Sequence, residues 1–152
     1  MVEDHISLRP FTPGDQTAAR ALILNGLGEH YGFIDETLNP DLDDIAASYL
    51  ANGHLFFVAE CSSILVGTGA LLLSPGASGQ IVRISTHPTH RRKGIARAIC
   101  QQLIEAARLH DLVSLTVETN DDWHDALRLY RQLGFVEYRQ IPGSICLQLT
   151  PV

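Results

Sequence analysis

The sequence predicts an α/β (α+β) domain in which one mixed, mostly antiparallel sheet is flanked by helices on both faces. Three observations predict it. Strand-like and helix-like stretches follow one another in the order β-α-α-β-β-β-α-β-α-β-β. The stretch from Gly94 to His110 has helical periodicity, with Ile95, Ile99, Leu103 and Ala106 on one stripe and Arg97, Gln101, Glu105 and Arg108 on the opposite one. The stretch "LVSLTVETN" alternates instead: Val113, Leu115 and Val117 share one face, Ser114, Thr116 and Glu118 the other, and Asn120 continues the second parity. Both periods within 152 residues, with no repeat or linker, predict a single domain over residues 1–152.

In chain order, "ISLRPFTPGD" starts as a strand and ends in a Pro-Gly turn. Asp15 is placed to cap a helix through "QTAARALILNGLGEHYG", with Ala18, Leu22, Ile23 and Leu24 apolar and Gly26 and Gly28 weakening its end. "DLDDIAASYLANG" reads as a second short helix, acidic at its start and closed by glycine. "HLFFVAEC" and "ILVGTGALLLS", separated by a short polar turn, read as a hairpin, and "QIVRISTH" is a strand rich in β-branched residues. After the Gly94 helix and the alternating strand, "DDWHDALRLYRQLG" reads as a helix capped by Asp121 or Asp122 and ended by Gly134. "FVEYRQIP" and "SICLQLT" close the sheet.

Composition narrows the function. The net charge is −6, which disfavours a dedicated nucleic-acid-binding domain, because such domains gain affinity by neutralising phosphates. The charge is unevenly spread. No Lys or Arg lies between Arg20 and Arg83, while Glu29, Asp35, Glu36, Asp41, Asp43, Asp44 and Glu60 do. An acidic first half and a basic second half suggest two partners of opposite charge. No apolar run approaches the ~20 residues of a membrane span, and the acidic, mixed start does not resemble a secretory signal, so the expectation is a cytoplasmic protein without a membrane partner. Cys61, Cys100 and Cys146 form no C-x-x-C pair and read as buried or half-buried thiols; the seven histidines show no metal-ligand spacing, so no metal is expected.

The stretch "THRRKGIA" (Thr89–Ala96) carries the most chemistry. The first N–H groups of a helix have no internal partner, and the helix dipole adds positive charge there. Gly94 removes a Cβ at this point, and Ala96 keeps the first turn small. Arg91, Arg92 and Lys93 are unfavourable at a helix N-terminus, by about 0.3–1 kcal/mol each, unless an anion joins them. The alternatives are a phosphate cradle and a solvated helix start with a chance cation cluster. Neither the Walker A spacing nor G-x-G-x-x-G is present.

"RRKGIA" resembles the [QR]-x-x-G-x-[GA] pyrophosphate loop of the GNAT superfamily, the acetyl-CoA-dependent N-acetyltransferases, and "ISTHPTHR" resembles its lead-in, with Thr86 and Pro88 at matching places. "VETNDDWHDALRLYRQLGFVEYRQ" is similar to a second family segment through Asn120, Ala126, Tyr130, Gly134 and Phe135. With the element order, the resemblance covers nearly the whole chain.

The resemblance implies acetyl-CoA as cosubstrate and direct attack of a primary amine on its thioester. It implies a β-bulge near Ile84, Ser85 and Thr86 that pairs with the pantetheine arm. It also implies a pyrophosphate loop over Arg91, Arg92, Lys93, Gly94, Ile95, Ala96 and Arg97, and a cofactor hydrogen bond from Asn120. Tyr130 matches the tyrosine that protonates the leaving thiolate; its alternative is an amphipathic core residue. Glu118, on the non-core parity of its strand and two residues from Asn120, is the candidate base, against a solvent-facing strand carboxylate; many members carry a glutamate where Gln80 stands, glutamine cannot act as a base, and a water chain without a named base is the other option. Arg83 is placed to meet an acidic substrate group or Glu118, or to stand as a surface charge. Some of Glu29, His30, Tyr31, Asp35 and Glu36 are candidates for recognising a cationic amine, against an ordinary solvated loop and helix caps. A non-catalytic acyl-CoA sensor on the same fold is the alternative function. The family is often dimeric, so a homodimer is admitted; the acceptor and the acyl-chain preference are not encoded in these motifs.

Overall fold

The computed structural model describes residues 5–32, 35 and 37–152. Its strands are β1 (Ile6–Pro10), β2 (Leu55–Cys61), β3 (Ile64–Ser74), β4 (Ser78–Thr86), β5 (Ser114–Asn120), β6 (Val136–Ile141) and β7 (Ser144–Leu149). The helices are α1 (Gln16–Tyr31), α2 (Ile95–Leu109) and α3 (His124–Gln132). The strands pair in the order β1-β2-β3-β4-β5-β7-β6, antiparallel everywhere except between β4 and β5. The expected element order and mostly antiparallel mixed sheet are therefore observed.

The α2 stripe behaves as its periodicity predicts: Ile95, Ile99, Leu103 and Ala106 are all buried. Two glycines of β3 set how deeply the helix lies. A Cβ at Gly67 would stand 2.8 Å from Ile95 Cγ2 and from Ile99 Cδ1, and one at Gly69 would overlap Ile99 Cγ2. The sheet is thus smooth where α2 crosses it, and the α2 N-terminus is held close to the end of β4. The other face is covered by α1, through Ala19, Ile23 and Leu24, and by Leu42, Ile45 and Tyr49, all packed with Phe56 and Val58.

Several local expectations are corrected. The second helix is not regular: Pro40–Leu42 is a 3₁₀ turn and Ala46–Leu50 a π-helical turn. Leu42, Ile45 and Tyr49 are nonetheless all buried, and the Asp44 carboxylate accepts from Ala47 N–H at 3.0 Å. Asp15 precedes α1 but does not cap it with its side chain, because Arg9 takes its two oxygens at 2.7 and 2.8 Å. The first helix has the expected extent: α1 runs through Gly26 and Gly28 and closes at Gly32 in a left-handed conformation (φ 83°). A Cβ on Gly26 would stand 3.3 Å from Ser85 Oγ, so this glycine seats the helix against β4. Ala18 is exposed and Ala19 is the buried residue. Val113 lies before β5 and is exposed, leaving Leu115 and Val117 as its buried residues together with Thr119. Neither Asp121 nor Asp122 caps α3, which follows Trp123 without a side-chain cap. The three cysteines are free thiols, two buried and one half-buried.

Candidate active site

The sheet opens between its two parallel strands. The β4–β5 ladder ends at the Ile81–Val117 pair, while β5 stays paired with β7 as far as Asn120–Ser144. The edge of β4 beyond Ile81 therefore has no partner on the β5 side. A cleft of about 1000 Å³ runs from this opening along β4 to the start of α2. A smaller pocket of about 550 Å³ lies between β4, β5 and the Asp41–His54 segment. Ile81, Val82, Arg83, Glu118 and Thr119 border both cavities, so the two meet at the slit.

The large cleft collects most of the residues assigned to cofactor binding: Ile84, Ser85, Thr86, Arg91, Arg92, Gly94, Ile95, Ala96, Arg97 and Tyr130 all line it. Lys93 and Asn120 do not. The bulge sits one residue earlier than expected. Thr68 pairs with Ser85 and Ala70 with Val82, so Arg83 and Ile84 stand opposite Gly69. Arg83 has φ 59°, and its carbonyl accepts from the buried Thr68 hydroxyl at 2.8 Å. That bond fixes the kink that turns β4 away from β5.

At the other end of the cleft, Gly94 has φ 80° and nothing within 4 Å of a Cβ position. Its glycine is required by the left-handed backbone rather than by a close neighbour. The first helical bond runs from Ala98 N–H to the Gly94 carbonyl at 3.0 Å, which leaves the N–H groups of Ile95, Ala96 and Arg97 free of intrahelical partners. These donors, with Arg91 and Arg92 on the rim, suit a diphosphate.

Tyr130 is 5% exposed, packs edge-on against Phe135, and reaches the cleft from α3. Burial, and secondarily the nearby Cys100, pushes its phenol well above the ordinary value, so it stays protonated across the neutral range. Burial likewise pushes the Cys100 thiol up to about 12. Glu118 is exposed at the slit, and its carboxylate has no hydrogen bond or ion pair among the described residues. Gln80 lines the smaller pocket, where it contributes an amide and no base.

The remaining candidates find other partners. Arg83 does not meet Glu118: Asp41 holds it through two bonds of 2.6 and 3.0 Å, and Asn39 Oδ1 accepts a third at 3.2 Å. Tyr49 donates to the same Asp41 at 2.6 Å. Burial works to raise the Asp41 pKa, but the Arg83 and Tyr49 hydrogen bonds outweigh it and leave the carboxyl below its usual range. Burial together with the Asp41 bond raises Tyr49 to about 12. Glu29 turns to the phosphate-loop side, where its carboxylate makes a fork with Arg91 at 2.6 and 2.8 Å. Asp35 accepts from the Thr37 hydroxyl and N–H, and lines neither cavity. Glu36 lies outside the described residues.

Asn120 lines the smaller pocket and donates to the Tyr31 hydroxyl at 2.6 Å. The same α1 end is strapped to the β5–α3 turn, since the Trp123 indole donates to His30, which also lies 3.6 Å from Asp122. Asp41, Tyr49, Trp123 and Thr119 were not singled out by the sequence. Asp41 and Trp123 act through partners tens of residues away, and Tyr49 through Asp41 eight residues back across an irregular turn, for which the sequence carries no local signal. Thr119 was missed because alternation does not reveal where two strands part.

These geometries agree with comparison to other proteins. The family model described as "Acetyltransferase (GNAT) family" matches residues 21–135. The rat protein N-acetyltransferase 8B is 31% identical over 126 residues, covering 79% of this chain and 57% of that protein. Human N-acetyltransferase 8B is 33% identical over 109 residues, covering 68% of this chain and 48% of its own length. The chain thus spans about half the length of the curated relatives it matches. Among solved structures, a GNAT-family acetyltransferase from Staphylococcus aureus superposes with TM-score 0.88 at 18% identity, covering 96% of this chain and 99% of its own, which establishes a shared fold. With a split parallel strand pair, a bulged β4 and a glycine-opened α2 all present, and the family model spanning most of the length, the chain belongs to the GNAT acetyltransferase family.

Proposed function

We propose that this protein transfers the acetyl group of acetyl-CoA to a primary amine by direct attack. The observation that carries the reading is the meeting of two cavities at the slit between β4 and β5, with Glu118 on the rim of both and Tyr130 in the larger. A related fold from Thermoplasma acidophilum, the PaiA N-acetyltransferase solved in complex with coenzyme A, superposes with TM-score 0.84 at 13% identity and lends support to coenzyme A as the cleft's occupant.

In this reading the N–H groups of Ile95, Ala96 and Arg97 hold the diphosphate, and the free edge of β4 beyond Ile81 pairs with the amides of the pantetheine arm. The acceptor enters through the smaller pocket. A lysine-like amine has a pKa of about 10.4, so about one molecule in a few thousand is neutral at pH 7. Glu118 removes the amine proton, directly or through water. The nitrogen lone pair bonds to the thioester carbon, and main-chain N–H groups of β4 receive the oxyanion. The carbon–sulfur bond then breaks as the nitrogen gives its second proton to water, and Tyr130 delivers its hydroxyl proton to the sulfur. The phenolate recovers a proton from solvent, and Glu118 releases the one it took. Burial makes the phenol a weaker acid, but the same dry surroundings make the nascent thiolate a stronger base, so the transfer stays matched.

Incubation with acetyl-CoA and a panel of small amines, amino-terminal peptides and lysine peptides, followed by release of free thiol, tests the proposal. Amine-dependent thiol release is the expected result. Thermal stabilisation by acetyl-CoA without any release would instead identify a binding domain.

A further inference from the structure

Thr119 has a buried side chain whose hydroxyl has no hydrogen-bond partner among the described residues. Buried hydroxyls are nearly always paired, since leaving one unpaired costs stability. Valine, nearly the same shape, would fill the position without that cost, and the same strand already carries Val117 as a buried residue.

The location indicates what the hydroxyl awaits. Its main chain is secured on the β7 side, in register with Ile145, and it lies beyond the Ile81–Val117 pair where the β4–β5 ladder has ended. Glu118 and Thr119 are consecutive strand residues and project to opposite faces. Both nevertheless border both cavities, which is what an opening through the sheet between them and β4 produces. A group passing from the smaller pocket into the cleft would have the carboxylate of Glu118 on one side and the hydroxyl of Thr119 on the other.

We propose that Thr119 is a substrate-positioning residue whose hydroxyl oxygen accepts an N–H of the incoming amine at the slit and so aims the nitrogen lone pair at the acyl carbon. This deepens, and rests on, the reading of the site as an amine acetyltransferase. A neutral primary amine has two N–H donors and one lone pair. Glu118 and Thr119 supply two acceptors, which leaves the lone pair to face the cleft. No proton leaves or joins Thr119 during transfer.

The test compares Thr119→Val and Thr119→Ser with the wild type, using an amine from the panel that the wild type acetylates. Thr119→Val should lower kcat/KM for the amine 10- to 100-fold, about what one lost orienting hydrogen bond costs. Its calorimetric affinity for coenzyme A should stay within twofold of wild type, and its melting temperature should rise by about 2 °C as the unpaired hydroxyl is removed. Thr119→Ser should keep at least a third of the wild-type rate. Wild-type turnover matched by Thr119→Val would overturn the role of Thr119 alone, as would a tenfold loss of coenzyme A affinity or a lowered melting temperature. No thiol release by the wild type with any amine would overturn the transferase reading and this inference with it.

Discussion

Arg83 and Asp41, forty-two residues apart, are joined by two hydrogen bonds of 2.6 and 3.0 Å across the mouth of the smaller pocket. Arg83 is the bulge residue of β4, at φ 59°, and Asp41 belongs to the 3₁₀ turn after α1. The acidic first half therefore contributes a structural counter-charge that holds the bulge. Arg83 is correspondingly less available to an acidic substrate group than the sequence alone suggests.

Asp41→Asn tests that tie. It leaves a largely buried guanidinium without its anion and should cost about 2–3 kcal/mol, the lower side of what breaking a buried pair costs because both groups keep some contact with water. The melting temperature should fall by about 5–10 °C. The wild-type contribution has a defined pH dependence. Because the folded carboxyl lies below its ordinary value of about 3.9, its stabilisation is complete above that pH and is lost as pH falls through the folded value. The acid-side decline in melting temperature should therefore be shallower in Asp41→Asn, and parallel curves would contradict the assignment.

Tyr130→Phe removes the hydroxyl but keeps the buried ring against Phe135. The expected result is a kcat lowered by about 10²–10⁴-fold, the usual size of a general-acid contribution, with coenzyme A affinity little changed. An unchanged kcat would mean that the thiolate takes its proton from elsewhere.

Glu29 separates two readings of the acidic first half. Its fork with Arg91 predicts that Glu29→Gln leaves the KM for the amine unchanged and, by freeing Arg91 for the diphosphate, tightens coenzyme A binding by a few fold at low salt. A raised amine KM with unaltered coenzyme A affinity would return Glu29 to the acceptor side.

Gly94→Ala probes the start of α2. A Cβ meets nothing there, so the effect is conformational: the φ of 80° costs an L-residue about 1–2 kcal/mol. Coenzyme A affinity should fall about tenfold as the N–H groups of Ile95 to Arg97 rotate out of line. Calorimetry reads this directly, and an unaltered affinity would exclude the helix start as the diphosphate site.

The parts of the fold that were legible in the sequence are those written in local periodicity. Ile95, Ile99 and Leu103 announced α2, and the alternation through Leu115 and Val117 announced β5. The phosphate loop was legible for the same reason, since Gly94 and the residues after it act within one turn. What stayed hidden depends on distant contacts. The Asp41–Tyr49–Arg83 cluster, the Glu29–Arg91 fork and the strap from Tyr31 and His30 to Asn120 and Trp123 each join segments that the chain alone keeps apart. Parity alone put Asn120 on the same face as Glu118. It could not reveal that β4 leaves β5 after Ile81 and turns a core position into one wall of a passage.

The most direct test of the account is stoichiometric: free coenzyme A and acetylated amine measured together, by thiol titration and mass spectrometry, in one reaction of protein, acetyl-CoA and an amine. Direct transfer through the slit predicts one acetylated amine for every thiol released. Thiol release without acetylated amine, or coenzyme A binding without release, would contradict it.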